Sequence, residues 1–151
     1  MAELINDQES TMGTTEFRRE ALEAVAETLA EEGPVYMINM VRYRAEADYG
    51  EERDLPACSG REAYFERYAP AFAKVAQGED YSVFFVGNVR GMLASENGES
   101  WDDVVIVRYS AFSALRRILE SEAYKSEAAP HRGAALADWR FIATTSPFTA
   151  G

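Results

Sequence analysis

The order of the predicted elements places this chain in the α+β class. One helical pattern comes first, and a β-α-β-β-α-β series follows it. The clearest elements are the strand at 101–111, WDDVVIVRYSA, and the Asn97-Gly98 pair before it, which is a strong hairpin signal. This order predicts a ferredoxin-like unit, in which a four-stranded antiparallel sheet carries both helices on one face.

An extra N-terminal helix is predicted ahead of that unit. Polar, patternless residues open the chain, and Thr14 or Thr15 is the expected N-cap of a helix that continues through Leu29. Apolar residues recur within it at helical spacing. We therefore divide the chain into an arm with an extra helix, 1–33, and a ferredoxin-like domain, 34–151.

Within the domain, periodicity and turn residues set the expected boundaries. The predicted elements are a strand at 35–43, a helix at 59–77 that Ser59 opens, and strands at 81–95 and 101–111. A short helix capped by Ser113, a second helical turn from Ser121 that ends near Pro130, and a strand at 139–145 follow. Pro70 is expected to kink or break the helix that contains it. Gly87 and Gly91 weaken their strand and suggest a bulge or a close backbone approach.

Both faces of the first predicted strand are apolar. Because side chains alternate along a strand, Tyr36, Ile38 and Met40 occupy the face opposite to Val35 and Met37. The helices cover one face, and a second copy of the sheet is the simplest cover for the other. An interface of about 800 Å² per partner is an ordinary one. The sequence therefore predicts a homodimer.

Composition excludes several classes of partner. The formal net charge of the acidic chain is -11, which repels nucleic acid and anionic membranes. No apolar run approaches the length of a membrane span, and the acidic start lacks the pattern of a signal peptide. Cys58 is the one cysteine, so no disulfide forms within the chain. The expectation is a soluble cytoplasmic protein that binds neither nucleic acid nor membrane.

A series of residues from Trp101 onward resembles a known family. The series consists of Trp101, Tyr109, Ser113, Ser121-Glu122-x-Tyr124 and Arg132 followed by small residues. It is similar to the family called domain of unknown function 1330, over roughly 34–146. That family belongs to the dimeric α/β-barrel superfamily, with antibiotic-biosynthesis monooxygenases, EthD-like proteins and muconolactone isomerase-like enzymes. The resemblance implies two units that close their sheets into a shared barrel, and it implies no catalytic set. Arg108 departs from the pattern, since the family often has an acid there.

No metal or cofactor is expected. One histidine and no cysteine pair leave carboxylates as the only plentiful ligands, and their spacing matches no calcium loop. There is neither a dinucleotide fingerprint nor a Walker loop. A haem held by His131 would rest on that single ligand.

Two polar residues on neighbouring predicted strands are candidates for a site. Arg108 is a candidate catalytic residue and Asn39 a candidate ligand-binding residue. A buried guanidinium needs a carboxylate, a carbonyl or a bound anion. Arg108 is therefore expected either to form an ion pair within the dimer or to hold a ligand carboxylate or enolate, with Asn39 as a hydrogen-bond donor.

Further candidates lie on the helices. Tyr64 and Tyr68 are one turn apart on an apolar stripe, where aromatic side chains form a core, but their hydroxyls would need partners or a ligand if buried. His131 and Arg132 follow near the return to the sheet. His131 is the simplest general base at neutral pH, and Arg132 is a ligand-binding candidate.

Three functions remain open from the sequence. The first is a cofactor-free barrel that binds a small, partly apolar molecule between sheet and helices, with proton-transfer chemistry of the isomerase or cyclase type. The second is a dimeric binding or interaction module without catalysis. A cofactor-less monooxygenase is a weaker third, because it rests on fold analogy alone.

Overall fold

The sheet confirms the α+β class. A computed structural model describes residues 13–29, 33–51 and 54–148. Its four strands are β1 (Val35–Tyr43), β2 (Tyr81–Asn88), β3 (Asp103–Tyr109) and β4 (Leu136–Thr144). They pair antiparallel in the order β2-β3-β1-β4.

Four helices accompany the sheet. They are α1 (Arg19–Thr28), α2 (Gly60–Glu62, Ala63–Tyr68 and Ala69–Val75), α3 (Phe112–Glu120) and α4 (Tyr124–Ala128 and Ala129–Ala135). None of these described helices is long and apolar enough to cross a bilayer.

The two prolines do not break α2 and α4. Instead, the segments Ala63–Tyr68 and Tyr124–Ala128 are π-helical, and Pro70 and Pro130 lie just after them. A proline has no N–H to donate to the preceding turn, and a wider turn accommodates that loss without ending the helix. Both π-helical segments carry tyrosines that line the cavity described below.

The predicted helix caps were correct at one position and wrong at another. Ser59 caps α2 as expected: its hydroxyl accepts a hydrogen bond from the Glu62 N–H, and the Glu62 carboxylate accepts one from the Ser59 N–H. In contrast, α3 begins at Phe112, and Ala111 precedes it without a side-chain cap. The predicted cap at Ser113 therefore lies two residues after the observed cap position, Ala111.

The N-terminal segment also differs from expectation. Neither threonine caps α1, which begins at Arg19. Thr14 instead donates its N–H to the Asp138 carboxylate at 2.8 Å. Gly13 has a φ of +70°, and a Cβ there would lie 2.5 Å from the Ala137 carbonyl oxygen. The segment before α1 is thus held tightly against the start of β4.

The helix face of the sheet contains the core. Val35, Met37 and Val41 are buried there, as their alternation predicted. The residues that pack on them from the helices include Leu22, Ala63, Phe112, Leu115, Ile118 and Leu119. Burying a side chain of this size contributes about 1.5–3 kcal/mol, so this face dominates the stability of the fold.

The edge strand β2 leaves apolar side chains in water. Val83, Phe84, Phe85 and Val86 are between 49% and 63% exposed. The register shifts between Val83 and Phe85, before the predicted position at Gly87, and Gly87 itself pairs with Val104. The Phe85 ring lies where a Cβ on Gly87 would be, so Gly87 is a site of close approach. β2 ends at Asn88, short of the predicted 81–95, and the Asn97-Gly98 turn sits in the connection to β3.

Candidate functional site

A cavity of about 290 Å³ lies between the sheet and the helices α2 and α4. Most of its wall is aliphatic and aromatic. Its polar groups are the Asn39 amide and the hydroxyls of Tyr64, Tyr68, Tyr81, Tyr109 and Tyr124. Of the residues that the structure describes, no carboxylate and no imidazole lines this cavity. Such a wall suits a small apolar molecule that carries few hydrogen-bonding groups.

Asn39 is positioned by its neighbours in the sheet. Its amide donates to the Val105 carbonyl at 3.1 Å, and its amide oxygen accepts a hydrogen bond from the Trp139 indole N–H at 3.0 Å. An asparagine side chain has two donors and two lone pairs. Asn39 therefore fixes the Trp139 ring in the cavity wall, and its second amide N–H makes no hydrogen bond to a described residue.

A chain of hydrogen bonds leads from the cavity to a buried cation. The hydroxyls of Tyr68 and Tyr124 are 2.9 Å apart, and Arg132 Nη1 donates to the Tyr124 hydroxyl. Arg132 is 2% exposed, and its guanidinium lies 4.7 Å from the Trp139 ring centroid. Its Nη2 donates to the Glu16 carboxylate at 2.9 Å. This cation–π contact and the two hydrogen bonds keep the buried charge paired.

The motif Ser121-x-x-Tyr124 has a clear structural role. The Ser121 hydroxyl accepts a hydrogen bond from the Tyr124 N–H at 3.1 Å and donates to the Ile118 carbonyl at 2.8 Å. It therefore joins the end of α3 to the start of α4, and it fixes the ring of Tyr124 between the cavity and Arg132.

Tyr64 and Tyr109 are buried, and neither their hydroxyls nor that of the less buried Tyr81 hydrogen-bond to a described residue. Burial raises the pKa of Tyr64, and it likewise raises the pKa of Tyr109. Burial also raises the pKa of Tyr68, and Tyr124 adds to the effect. All three stay protonated at neutral pH, so they act as hydrogen-bond donors and not as bases.

The structure brings together four of the six residues singled out from the sequence. Asn39, Tyr64 and Tyr68 line the cavity, and Arg132 contacts it through Tyr124. Tyr64 and Tyr68 belong to the core, as the apolar stripe predicted, and they also line the cavity.

Arg108 and His131 lie elsewhere. Arg108 pairs with Tyr36 and Ser82, which places it on the outer face of the sheet, opposite to Asn39. It is partly exposed there, so the expectation of a buried guanidinium beside Asn39 was wrong. His131 Nδ1 is 2.7 Å from the Tyr49 hydroxyl, outside the cavity.

Three important residues of the site were missed at the sequence level. Trp139 was expected only as the start of a strand, and Tyr124 and Tyr109 only as markers of a family resemblance. Alternation along β3 does place Tyr109 on the same face as Val105 and Val107, so this signal was present. The contact between Tyr124 and Arg132 has no comparable sequence signal.

A second polar cluster surrounds Asp103, which is fully buried. Its carboxylate accepts hydrogen bonds from Arg61 Nη1 and the Tyr43 hydroxyl, each at 2.6 Å, and from the Asn88 amide at 2.8 Å. Burial and the hydrogen bond to Asp103 raise the pKa of Tyr43. Because every one of these donors is aimed at one carboxylate, the cluster joins β1, α2, β2 and β3.

Fold and site together define a class: an α+β protein whose sheet and helices enclose a tyrosine-lined cavity. Among solved structures, the methylated RPA0582 protein is 30% identical over 93% of this chain and 98% of its own, with a TM-score of 0.78. A second structure, of the RPA0582 protein of unknown function from Rhodopseudomonas palustris, is 29% identical over 91% and 99%, also with a TM-score of 0.78. This chain therefore belongs to the family of the RPA0582 protein. No protein-family model and no curated protein matches it.

Proposed function

We propose that this protein binds a small, largely apolar molecule that carries a hydrogen-bond-accepting oxygen, in the cavity between sheet and helices. One observation carries the proposal: the hydroxyls of two buried tyrosines, Tyr64 and Tyr109, belong to the wall of an apolar cavity and hydrogen-bond to no described residue. A hydroxyl in such a wall is a ready hydrogen-bond donor, and a ligand oxygen would supply its acceptor.

The cavity favours binding over base catalysis. Its ionisable groups are tyrosines, burial raises the pKa of Tyr64, Tyr68 and Tyr109, and His131 lies outside the cavity. The isomerase, cyclase and monooxygenase hypotheses would each need a base or a redox partner that the described wall of the cavity does not offer.

A matched pair of aromatic probes tests the binding proposal. In a Trp101→Phe variant, Trp139 is the remaining tryptophan, and its ring lies in the cavity wall. We expect acetophenone to quench this fluorescence saturably, and to bind about tenfold more tightly than ethylbenzene, which lacks the carbonyl but has a similar shape. Equal affinity for the two probes, or no saturable binding of either, would contradict the proposal.

We also propose that the molecule is a homodimer of ferredoxin-like units, related to the domain of unknown function 1330 and to the dimeric α/β barrels. The strand order β2-β3-β1-β4 and the residues Ser121, Tyr124 and Arg132 support this assignment. The exposed side chains of Phe84 and Phe85 support a partner, because an apolar edge strand in water invites association. Arg108 would then lie at the interface.

The dimer is tested by placing a charge on the outer face. Phe84 contacts Tyr36 with ring centroids 5.1 Å apart. We expect Phe84→Glu to convert the dimer to a monomer at micromolar concentration, measured by light scattering, because a carboxylate would be buried without a partner. Ala123→Glu is the control, since Ala123 is exposed on the helix side. A monomeric parent protein would refute the dimer.

A further inference from the structure

We infer that the cavity contains an oxyanion subsite: Tyr68 donates a hydrogen bond to a phenolate or enolate oxygen of the ligand, and Arg132, acting through Tyr124, directs that bond. The inference rests on the proposed binding function and makes it more specific. It assigns Arg132 the role of a positioning residue, which does not itself touch the ligand.

The direction of the hydrogen bonds follows from what each group can do. A guanidinium only donates, so the Tyr124 oxygen is the acceptor of its contact with Arg132. Either hydroxyl of the Tyr68–Tyr124 contact, 2.9 Å long, could be its donor. Accepting a hydrogen bond from a guanidinium makes Tyr124 the stronger donor of the two, so we assign its proton to Tyr68. The proton of Tyr68 is then left for an acceptor in the cavity.

The charge of Arg132 strengthens the chain. Hydrogen bonds in series polarise one another, and the effect is larger in an apolar surrounding than in water. A cation at one end makes each hydroxyl a better donor toward the other end, which favours an anionic oxygen there. Glu16 shares this charge from the solvent side, where it is itself well exposed.

The titratable groups that face the subsite are tyrosines: Tyr81 and Tyr109 from the sheet, and Tyr64, Tyr68 and Tyr124 from α2 and α4. No described carboxylate, imidazole, lysine or arginine lines the cavity itself, so Arg132 and Glu16 are the two full charges linked to the Tyr68 end of the chain. An apolar cavity without this chain would instead favour the neutral form of a phenol.

The test uses 4-nitrophenol, whose ionisation near neutral pH is followed by absorbance. We expect it to bind to the full chain with a pKa about 1 lower than in water, which is a tenfold preference for the phenolate. Tyr68→Phe and Tyr124→Phe should abolish this preference, while Tyr36→Phe, on the outer sheet face, should not change it.

Glu16→Gln should lower the pKa of the bound phenol further, because Arg132 loses its counter-charge, and Glu20→Gln should leave it unchanged.

Three results would overturn the inference in whole or in part, and they are distinguishable. If 4-nitrophenol binds with a raised pKa, equally in the parent protein and in Tyr68→Phe, the oxyanion subsite is wrong and the binding function stands. If neither 4-nitrophenol nor acetophenone binds saturably at any pH at which the protein is folded, both proposals fail. Unchanged affinity and pKa in Glu16→Gln would remove Arg132 from the mechanism.

Discussion

Replacing Asp103 by alanine is expected to lower the free energy of unfolding by about 3–5 kcal/mol. Its carboxylate is 0% exposed and accepts hydrogen bonds from Arg61, Tyr43 and Asn88. Removing it leaves three donors without their acceptor, and it leaves the Arg61 charge, half-exposed, without its counter-charge. Each donor that loses its acceptor costs up to about 1–3 kcal/mol, and three donors lose theirs at once. Urea denaturation measures the loss.

The neighbouring carboxylate provides the control. Asp102 is exposed, and its carboxylate accepts one hydrogen bond, from the Tyr43 N–H at 2.9 Å. We expect Asp102→Ala to cost about 1 kcal/mol. Similar losses for the two variants would contradict the view that Asp103 joins four elements, and would assign its stability to local backbone effects.

Much of the fold could be predicted because apolar patterning is a local property. The dense run of β-formers located β1, whose residues Val35, Met37 and Val41 are buried, and Ser59 marked the start of α2. Gly87 predicted a bulge or a close approach, and the close approach is that of the Phe85 ring. Each of these signals lies within a few residues of the feature it predicts.

The site was predicted only in part because its geometry depends on contacts that are distant in sequence. Arg108 and Asn39 lie on adjacent strands as expected, but the register pairs Asn39 with Val105, so Arg108 falls on the other face. Alternation along β3 places residues 105 and 108 on opposite faces, because they are an odd number of residues apart. The register then shows that Val105, and not Arg108, shares a face with Asn39.

The polar chain behind the cavity had only part of its signal in the local sequence. Tyr124 and Arg132 lie eight residues apart in α4, whereas Glu16 reaches Arg132 through the docking of the N-terminal segment. The Thr14 N–H, which was expected to lie near a helix cap, is instead bound to Asp138. Burial alone would raise the pKa of the Asp138 carboxyl, but this N–H, Arg140 and the Trp139 N–H outweigh it and lower the pKa. The position of Thr14 is thus set by a tertiary contact with Asp138, which short-range capping rules do not describe.

Substituting Gly60 by alanine is expected to destabilise the protein by more than about 3 kcal/mol. A Cβ at Gly60 would lie 2.3 Å from the Arg44 carbonyl oxygen and 2.5 Å from the Ala135 carbonyl oxygen. Both oxygens are fixed by hydrogen bonds: Arg44 accepts from the Gly60 N–H, and Ala135 accepts from the Arg44 N–H. Backbone atoms held in this way cannot move aside as a flexible side chain would. The expected loss therefore reflects separation of α2 from α4.

Gly133→Ala is the matched control, and its expected effect has the opposite sign. Gly133 lies within the α-helical part of α4, and a Cβ there would meet no atom within 4 Å. Alanine should stabilise this helix by about 0.5–1 kcal/mol, because it loses less conformational freedom on folding.

Thermal denaturation of Gly60→Ala and Gly133→Ala distinguishes a constraint at one junction from a general intolerance of added volume. A loss at both positions would mean that α4 does not tolerate added volume, whereas a loss at Gly60 alone identifies the junction of α2, α4 and β1 as the constraint. Because α2 and α4 also carry Tyr68 and Tyr124, a misplaced junction should weaken 4-nitrophenol binding in Gly60→Ala even under conditions where that variant remains folded.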